Sequence, residues 1–185
     1  MRFILLFILM ITISFRAEAQ ASFWTEAVYV TGDGGSFPQM DISGSIKLTP
    51  KTGMFIWSLV SQNWGESITG LTYSPKNWIE FGFGAGVEKH DNPLRAMGRV
   101  WIGNSKGSLF TAVEQGGSGH WYLVDGNIPL PQTNIGVGFR LQRFVGLGPR
   151  LQVTTKAVTL IVVPIAWDIE SRGASNSLFV LRITP

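Results

Sequence analysis

The sequence from residue 79 to residue 88 alternates between two kinds of side chain, and this alternation limits the fold more than any other feature. Successive side chains of a β-strand point to opposite faces, so the segment predicts a strand with two unlike faces. Odd positions hold Ile79, Phe81, Phe83, Ala85 and Val87, and even positions hold Glu80, Gly82, Gly84, Gly86 and Glu88. Because glycine weakens a strand unless space is short, we expect the glycine face to pack in a confined space.

The rest of the chain predicts strands and turns. The same alternation recurs at residues 40–48, 94–102 and 135–142. Further strands are predicted near residues 24–31, 54–62, 67–73, 109–114, 120–125, 150–155, 159–169 and 177–183. After the first twenty residues, no stretch has apolar side chains at the helical spacing i, i+3, i+4 and i+7. The sequence thus predicts about twelve antiparallel strands.

Short and longer connections alternate between these strands. Turns with proline, glycine or asparagine, which supply sharp backbone angles, fall at residues 49–53, 74–77, 104–107, 129–134 and 155–157. Longer segments fall at residues 33–39, 63–66, 89–93, 115–119, 145–149 and 171–176. This order predicts an up-and-down meander with both termini on the short-turn side. Pro164 cannot donate a ladder hydrogen bond, so we expect a bulge or a local edge there.

The first nineteen residues have the pattern of a secretory signal peptide. Arg2 precedes an apolar run, Phe3 to Phe15, that is too short to cross a bilayer as a helix. The sequence Ala17-Glu18-Ala19 then offers a cleavage site between small residues. We expect a signal peptide over residues 1–19 and one β-barrel domain over residues 20–185.

Composition separates the classes of protein that a two-faced meander can form. In a soluble barrel or sandwich the apolar face is the core, whereas in a membrane barrel it meets lipid. Charged residues make up 15% of the chain, below the roughly 25% of ordinary soluble domains. A glycine stripe also serves a water-facing surface poorly, so the membrane barrel is favoured. The absence of cysteine excludes disulfide scaffolds and zinc–thiolate sites, and a net charge of +3 is too weak to indicate nucleic-acid binding.

With these features the chain from residue 20 resembles the small, porin-like class of bacterial outer-membrane β-barrels. The resemblance also uses aromatic residues near strand ends, which fit interfacial girdles: Phe55, Trp64, Tyr73, Trp78, Trp121 and Trp167. It implies an all-β, antiparallel, up-and-down transmembrane β-barrel in the bacterial outer membrane. Its implied partners are outer-membrane lipid, the outer-membrane assembly machinery and small solutes. The chain departs from the class by ending in Pro185 instead of an aromatic residue.

The expected interior face is polar and glycine-lined and collects charges of both signs. The candidate pore-lining or network residues are Asp41, Lys47, Glu80, Glu88, Arg95, Arg99, Glu114, Arg140, Gln142 and Asp168. Such residues can line a narrow water-filled path that screens solutes by size and charge. They can equally form a self-neutralising plug, because buried charges must be paired. The sequence leaves both possibilities open.

The function predicted from the sequence is non-enzymatic: a small pore or a structural surface protein. One alternative is an outer-membrane barrel enzyme acting on lipid, with His90 or His120 as the base. Another is a soluble, secreted β-sandwich or calycin-like binding module. No spacing in the sequence indicates catalytic residues, a metal site or a cofactor.

Overall fold

A computed structural model describes residues 21–32, 35–168 and 175–184, which form twelve β-strands. The predicted signal peptide lies outside the described residues. No helix in the described ranges has the length and apolar character needed to span a bilayer. The strands are β1 (Ala21–Gly32), β2 (Gly35–Lys47), β3 (Thr52–Ser61), β4 (Gly65–Lys76), β5 (Ile79–Glu88), β6 (Leu94–Asn104), β7 (Gly107–Gly116), β8 (Gly119–Pro129), β9 (Ile135–Gln142), β10 (Gly146–Thr155), β11 (Val158–Trp167) and β12 (Ser175–Ile183).

Each strand pairs antiparallel with its neighbours in sequence, and β1 pairs with β12 to close a barrel. The closing pair runs from Thr25 opposite Ile183 to Gly32 opposite Asn176. Closure leaves no strand edge without a partner, which removes the unpaired backbone groups of an open sheet. The prediction of an up-and-down barrel of about twelve strands is confirmed.

The connections are shorter than the sequence suggested. The end that carries both chain termini, here called the terminal end, has turns at residues 48–51, 77–78, 105–106, 130–134 and 156–157. The opposite end, the far end, has described connections at residues 62–64, 89–93, 117–118 and 143–145. The expectation of long far-end loops is wrong for most of these.

Bulky apolar side chains face outward along most strands. Phe83 and Leu94 are 73% and 71% exposed. Glu88 and Arg95, which point to the other face of the same two strands, are 5% and 3% exposed. Among the described residues, about twice as many large hydrophobic side chains are exposed as are buried. A soluble core would reverse this distribution, and an outer surface in contact with lipid requires it. The predicted orientation is confirmed, and the soluble β-sandwich alternative is wrong.

The glycine face lies inside the barrel, where space is short. A Cβ atom on Gly84 would lie 2.8 Å from Cζ of Phe55, and one on Gly70 would lie 2.6 Å from Cε1 of the same ring. A Cβ atom on Gly82 would lie 2.7 Å from Cγ of Arg99. The glycines thus make room for the side chains of Phe55 and Arg99. These two side chains also contact each other, since the guanidinium carbon of Arg99 lies 3.9 Å from the centroid of the Phe55 ring.

The interior is not polar throughout, which corrects the expectation from the sequence. Two buried hydrophobic clusters fill parts of it. The first comprises Val28, Val30, Val145, Ile161, Val163, Ala166, Leu178 and Val180. The second comprises Phe55, Trp57, Ile68, Met97, Ala112, Trp121 and Leu123. The first cluster escaped the alternation pattern because β11 and β12 carry apolar residues on both faces.

Aromatic residues divide between the outer surface and the interior. Tyr73, Trp78 and Trp167 are exposed, as an interfacial girdle requires. Phe55 and Trp121 are buried inside the barrel, so their assignment to a girdle is wrong. Both rings occupy inward-pointing positions, Phe55 on β3 and Trp121 on β8, and the inner face of the barrel does not contact lipid.

Pro164 interrupts the ladder between β11 and β12, as predicted. The register shifts between Val163 and Ala166, on either side of the proline. The carbonyl oxygen of Pro164 accepts a 2.7 Å hydrogen bond from the hydroxyl of Ser177 on β12. The hydroxyl thus satisfies the carbonyl oxygen of Pro164 where the ladder is interrupted.

Candidate functional site

Charged groups inside the barrel form two separate assemblies along its axis. One surrounds Arg95 toward the far end, and the other lines a cavity toward the terminal end. Both lie inside because each of their charged residues occupies one of the inward-pointing positions of its strand.

The far-end assembly holds one guanidinium among three carboxylates. Nε of Arg95 lies 2.7 Å from Oε2 of both Glu66 and Glu114, and Nη1 lies 2.9 Å from Oε2 of Glu88. All four side chains are almost fully buried. The hydroxyl of Ser118 donates to Glu88 and its backbone N–H donates to the same carboxylate at 2.9 Å, so the assembly also fastens the 117–118 turn. This arrangement is structural, because it ties four strands and a turn together.

The terminal-end assembly lines a cavity of about 440 Å³, which we call the terminal chamber. Its walls include four arginines, three carboxylates and four aromatic rings. These are Arg99, Arg140, Arg150, Arg182, Glu26, Glu80, Asp125, Trp24, Trp57, Trp101 and Phe110. The chamber therefore combines an excess of one positive charge with flat apolar surfaces.

Three of the four arginines in the chamber have a close carboxylate. Nε of Arg182 donates to Glu26 at 2.6 Å, and Nη2 of Arg99 donates to Glu80 at 3.1 Å. Nε of Arg150 lies 2.8 Å from Oδ1 of Asp125. These pairs satisfy most of the charge that the low-dielectric interior would otherwise penalise.

Arg140 is the exception. Its Nε donates to the neutral amide oxygen of Gln142 at 3.0 Å, and its Nη1 lies 3.9 Å from Oδ2 of Asp125. Asp41, buried in the same region, accepts a 2.8 Å hydrogen bond from Gln39. Within the described residues, Arg140 thus has no carboxylate at hydrogen-bonding distance, although it is only 4% exposed.

Trp57 forms a partition above the chamber. Its ring centroid lies 5.7 Å from that of Trp24, 6.3 Å from that of Phe110 and 6.3 Å from that of Trp121. Trp121 lines a second cavity of about 270 Å³ toward the far end, which we call the far pocket. The two cavities share no lining residue, and Trp57 of the chamber packs against Trp121 of the far pocket.

The other predicted site residues lie at the rims. Lys47 is the last residue of β2 and is exposed at the terminal end, away from the buried charges. Asp168 follows β11 at the far end and is partly buried. The remaining eight occupy inward positions within the barrel: Asp41, Glu80, Glu88, Arg95, Arg99, Glu114, Arg140 and Gln142.

Sequence analysis missed several charged residues of both assemblies. The pattern of connections assigns Glu66 to a loop, whereas it is the second residue of β4. Glu26, Asp125, Arg150 and Arg182 lie on strands that were predicted without assigning their faces. Extending the alternation along β1, β8, β10 and β12 would have placed these four on the inward face.

The two histidines suggested for lipid hydrolysis, and Ser118 two residues before His120, have other contacts. The hydroxyl of Ser118 donates to Glu88, and Nδ1 of His90 accepts from the backbone N–H of Asn92 at 3.1 Å. The ring of His120 stacks on Tyr122, with centroids 6.3 Å apart. A nucleophilic serine needs a base that accepts its proton, and these contacts give no support to a serine–histidine pair.

The closed antiparallel barrel, its apolar exterior and its charged interior define a transmembrane β-barrel of the porin type. The fold is similar to that of a solved structure: a KdgM porin in complex with disordered oligogalacturonate aligns with a TM-score of 0.54 and 11% identity, covering 88% of this chain and 98% of that chain. A mutant of the Rhodopseudomonas blastica porin aligns with a TM-score of 0.44 and 7% identity, covering 90% of this chain and 100% of that one. We base the fold assignment on the first of these. No family model and no curated protein matches the sequence.

Proposed function

We propose that this protein is a narrow pore of the bacterial outer membrane for small polar solutes. The observation that carries the proposal is the pair of cavities along the barrel axis, whose walls meet where Trp57 packs against Trp121. A barrel whose interior served stability alone would gain most from continuous packing, because each cavity lowers stability.

The short connections support a constriction made of side chains. The described far-end connections at 62–64, 89–93, 117–118 and 143–145 span two to five residues, too few to fold into a lumen of this size. We therefore place the constriction of the proposed pore where Trp57 packs against Trp121. Rotation of two side chains leaves the backbone hydrogen bonds of the barrel in place, so such a constriction can admit a solute without unfolding any strand.

The proposal extends to location and to the class of solute. The signal-peptide pattern of residues 1–19 supports export, and the apolar exterior of the domain over residues 20–185 supports insertion into outer-membrane lipid by the assembly machinery. In such a barrel the short turns and termini face the periplasm. KdgM porin was solved with an oligogalacturonate, which supports a sugar-like or other small polar solute for a barrel of this fold.

Planar-bilayer recording tests the proposed pore. The refolded protein should give discrete conductance steps, and Trp57→Ala combined with Trp121→Ala should enlarge them several-fold, because it removes the two rings of the partition. Trp167→Ala is the matched control, since that ring is exposed on the outer surface and its loss should leave conductance unchanged. If folded wild-type protein and the double variant both stay silent, the interior is a plug and the pore proposal is wrong.

A further inference from the structure

Arg140 carries a buried positive charge that the described residues compensate only weakly. The other three arginines of the terminal chamber each have a carboxylate within 3.1 Å, whereas the closest ion-pair contact of Arg140 is the 3.9 Å separation from Asp125. Asp125 is already engaged by Arg150 at 2.8 Å. Buried charges are normally paired, so an arginine in this position is poised to accept an additional anion.

Hydrogen bonding indicates the same need. Nη1 of Arg140 and Nε1 of Trp57 are both buried, and neither has a hydrogen-bond acceptor in the structure. Buried polar atoms without partners are rare, and an ion or water at the site is one of the ordinary explanations. Both side chains line the same chamber, so a ligand bound there can offer an oxygen acceptor to each of them.

The dimensions and walls of the chamber limit what the ligand can be. Its volume of about 440 Å³ corresponds to about fifteen water molecules, which excludes macromolecules and suits a compact solute. Trp24, Trp57, Trp101 and Phe110 offer flat apolar faces, while Gln152 and Asn127 bind Arg150 at 2.7 Å and hold it in place. A small anion that also has an apolar or ring portion fits this combination.

We propose that Arg140 is the centre of an anion-binding site in the terminal chamber, with the indole N–H of Trp57 as its second donor. The ligand is a compact molecule with a carboxylate or phosphate group. This inference deepens the proposed function, since it names the class of solute that the pore would select. Guanidinium groups recognise both anions through paired hydrogen bonds, so the two sources must be distinguished by experiment.

Intrinsic tryptophan fluorescence of the folded, detergent-solubilised barrel provides the test. Sodium phosphate and sodium benzoate are titrated separately, with sodium chloride keeping the ionic strength constant. We expect saturable changes with at least one of them, and the tighter of the two identifies the preferred group. Arg140→Met should weaken binding by about ten-fold or more, as loss of a charged hydrogen bond does, and Trp57→Phe by about three-fold.

Lys47→Gln is the matched control, because it also removes one positive charge but lies at the exposed rim. It should leave the affinity unchanged. Arg140→Lys keeps the charge without the planar fork and should bind several-fold more weakly than wild type; it carries the test if Arg140→Met does not fold. Equal affinities in wild type and the Arg140 variants, or no saturable response to either anion, would overturn the site. Binding without conductance would contradict the pore alone, and conductance without binding would contradict the anion site alone.

Discussion

Gly84 shows how tightly the interior of this barrel is packed at single residues. The nearest atoms to a Cβ at this position would be Cζ of Phe55 and the backbone oxygen of Thr69, both at 2.8 Å. The second contact is with backbone, which cannot move aside as a flexible side chain can. The glycine is therefore required by space and not by backbone conformation.

Gly84→Ala should destabilise the barrel by about 1–3 kcal/mol, the usual cost of overpacking an interior. Gly98→Ala is the control, because its Cβ would make only ordinary contact with Val113 at 3.7 Å. Urea unfolding in lipid vesicles measures both. Equal midpoints for the two variants would show that the ring of Phe55 and the adjacent strand adjust freely, against the packing described here.

At this scale the sequence predicts side-chain direction better than side-chain partners. Alternation along each strand is enough to assign Glu80, Arg95, Arg99 and Arg140 to the inward face. It does not show that Arg95 meets three carboxylates, because Glu66 and Glu114 come from different strands and only the register brings them together. Partners across a sheet depend on register, which a single strand does not encode.

Closure of the barrel depends on one pair of elements, β1 and β12, which are the most distant in sequence. Eight residue pairs join them. Inside the barrel, Arg182 on β12 donates to Glu26 on β1 at 2.6 Å and lies 4.8 Å above the ring of Trp24. Glu26 is only 2% exposed, so this ion pair is the main charged contact across the closure among the described residues.

Arg182→Met should destabilise the closed barrel by about 3 kcal/mol, because it leaves the carboxylate of Glu26 buried and without its partner. Adding Glu26→Gln should recover most of the loss, since the second change removes the buried charge. Heat-modifiable migration on gels and urea unfolding measure the three proteins. If the double variant is no more stable than Arg182→Met, the loss arises from packing against Trp24 instead of charge.

At the scale of strands and turns, two-faced segments were predicted well and connections poorly. The strand predicted around residues 79–88 matches β5 to within one residue, because its faces differ so clearly. The predicted segments 115–119 and 145–149 are mostly strand. Glycine occurs both in loops and at the ends of tight hairpins, so composition alone could not distinguish a loop from a two-residue turn such as the one before Gly119.

The molecule as a whole is arranged with its apolar surface outside and its charges inside. Phe83 is the fifth of ten residues in β5 and is 73% exposed, whereas Leu48 begins a terminal-end turn and is 53% exposed. In water both positions would tolerate a charge. In a bilayer their depths differ, so the same substitution has different consequences at the two sites.

Phe83→Lys should lower the free energy of unfolding in lipid vesicles by about 2–4 kcal/mol, the cost of a lysine near the bilayer midplane, whereas Leu48→Lys near the interface should cost about 1 kcal/mol or less. Urea titration monitored by tryptophan fluorescence gives both values. We attribute the expected difference in unfolding free energy to the depth of each side chain in the bilayer, because both side chains are exposed on the outer surface. Two small and equal effects would mean that water surrounds the belt of exposed apolar residues, and the transmembrane placement on which the pore depends would be wrong.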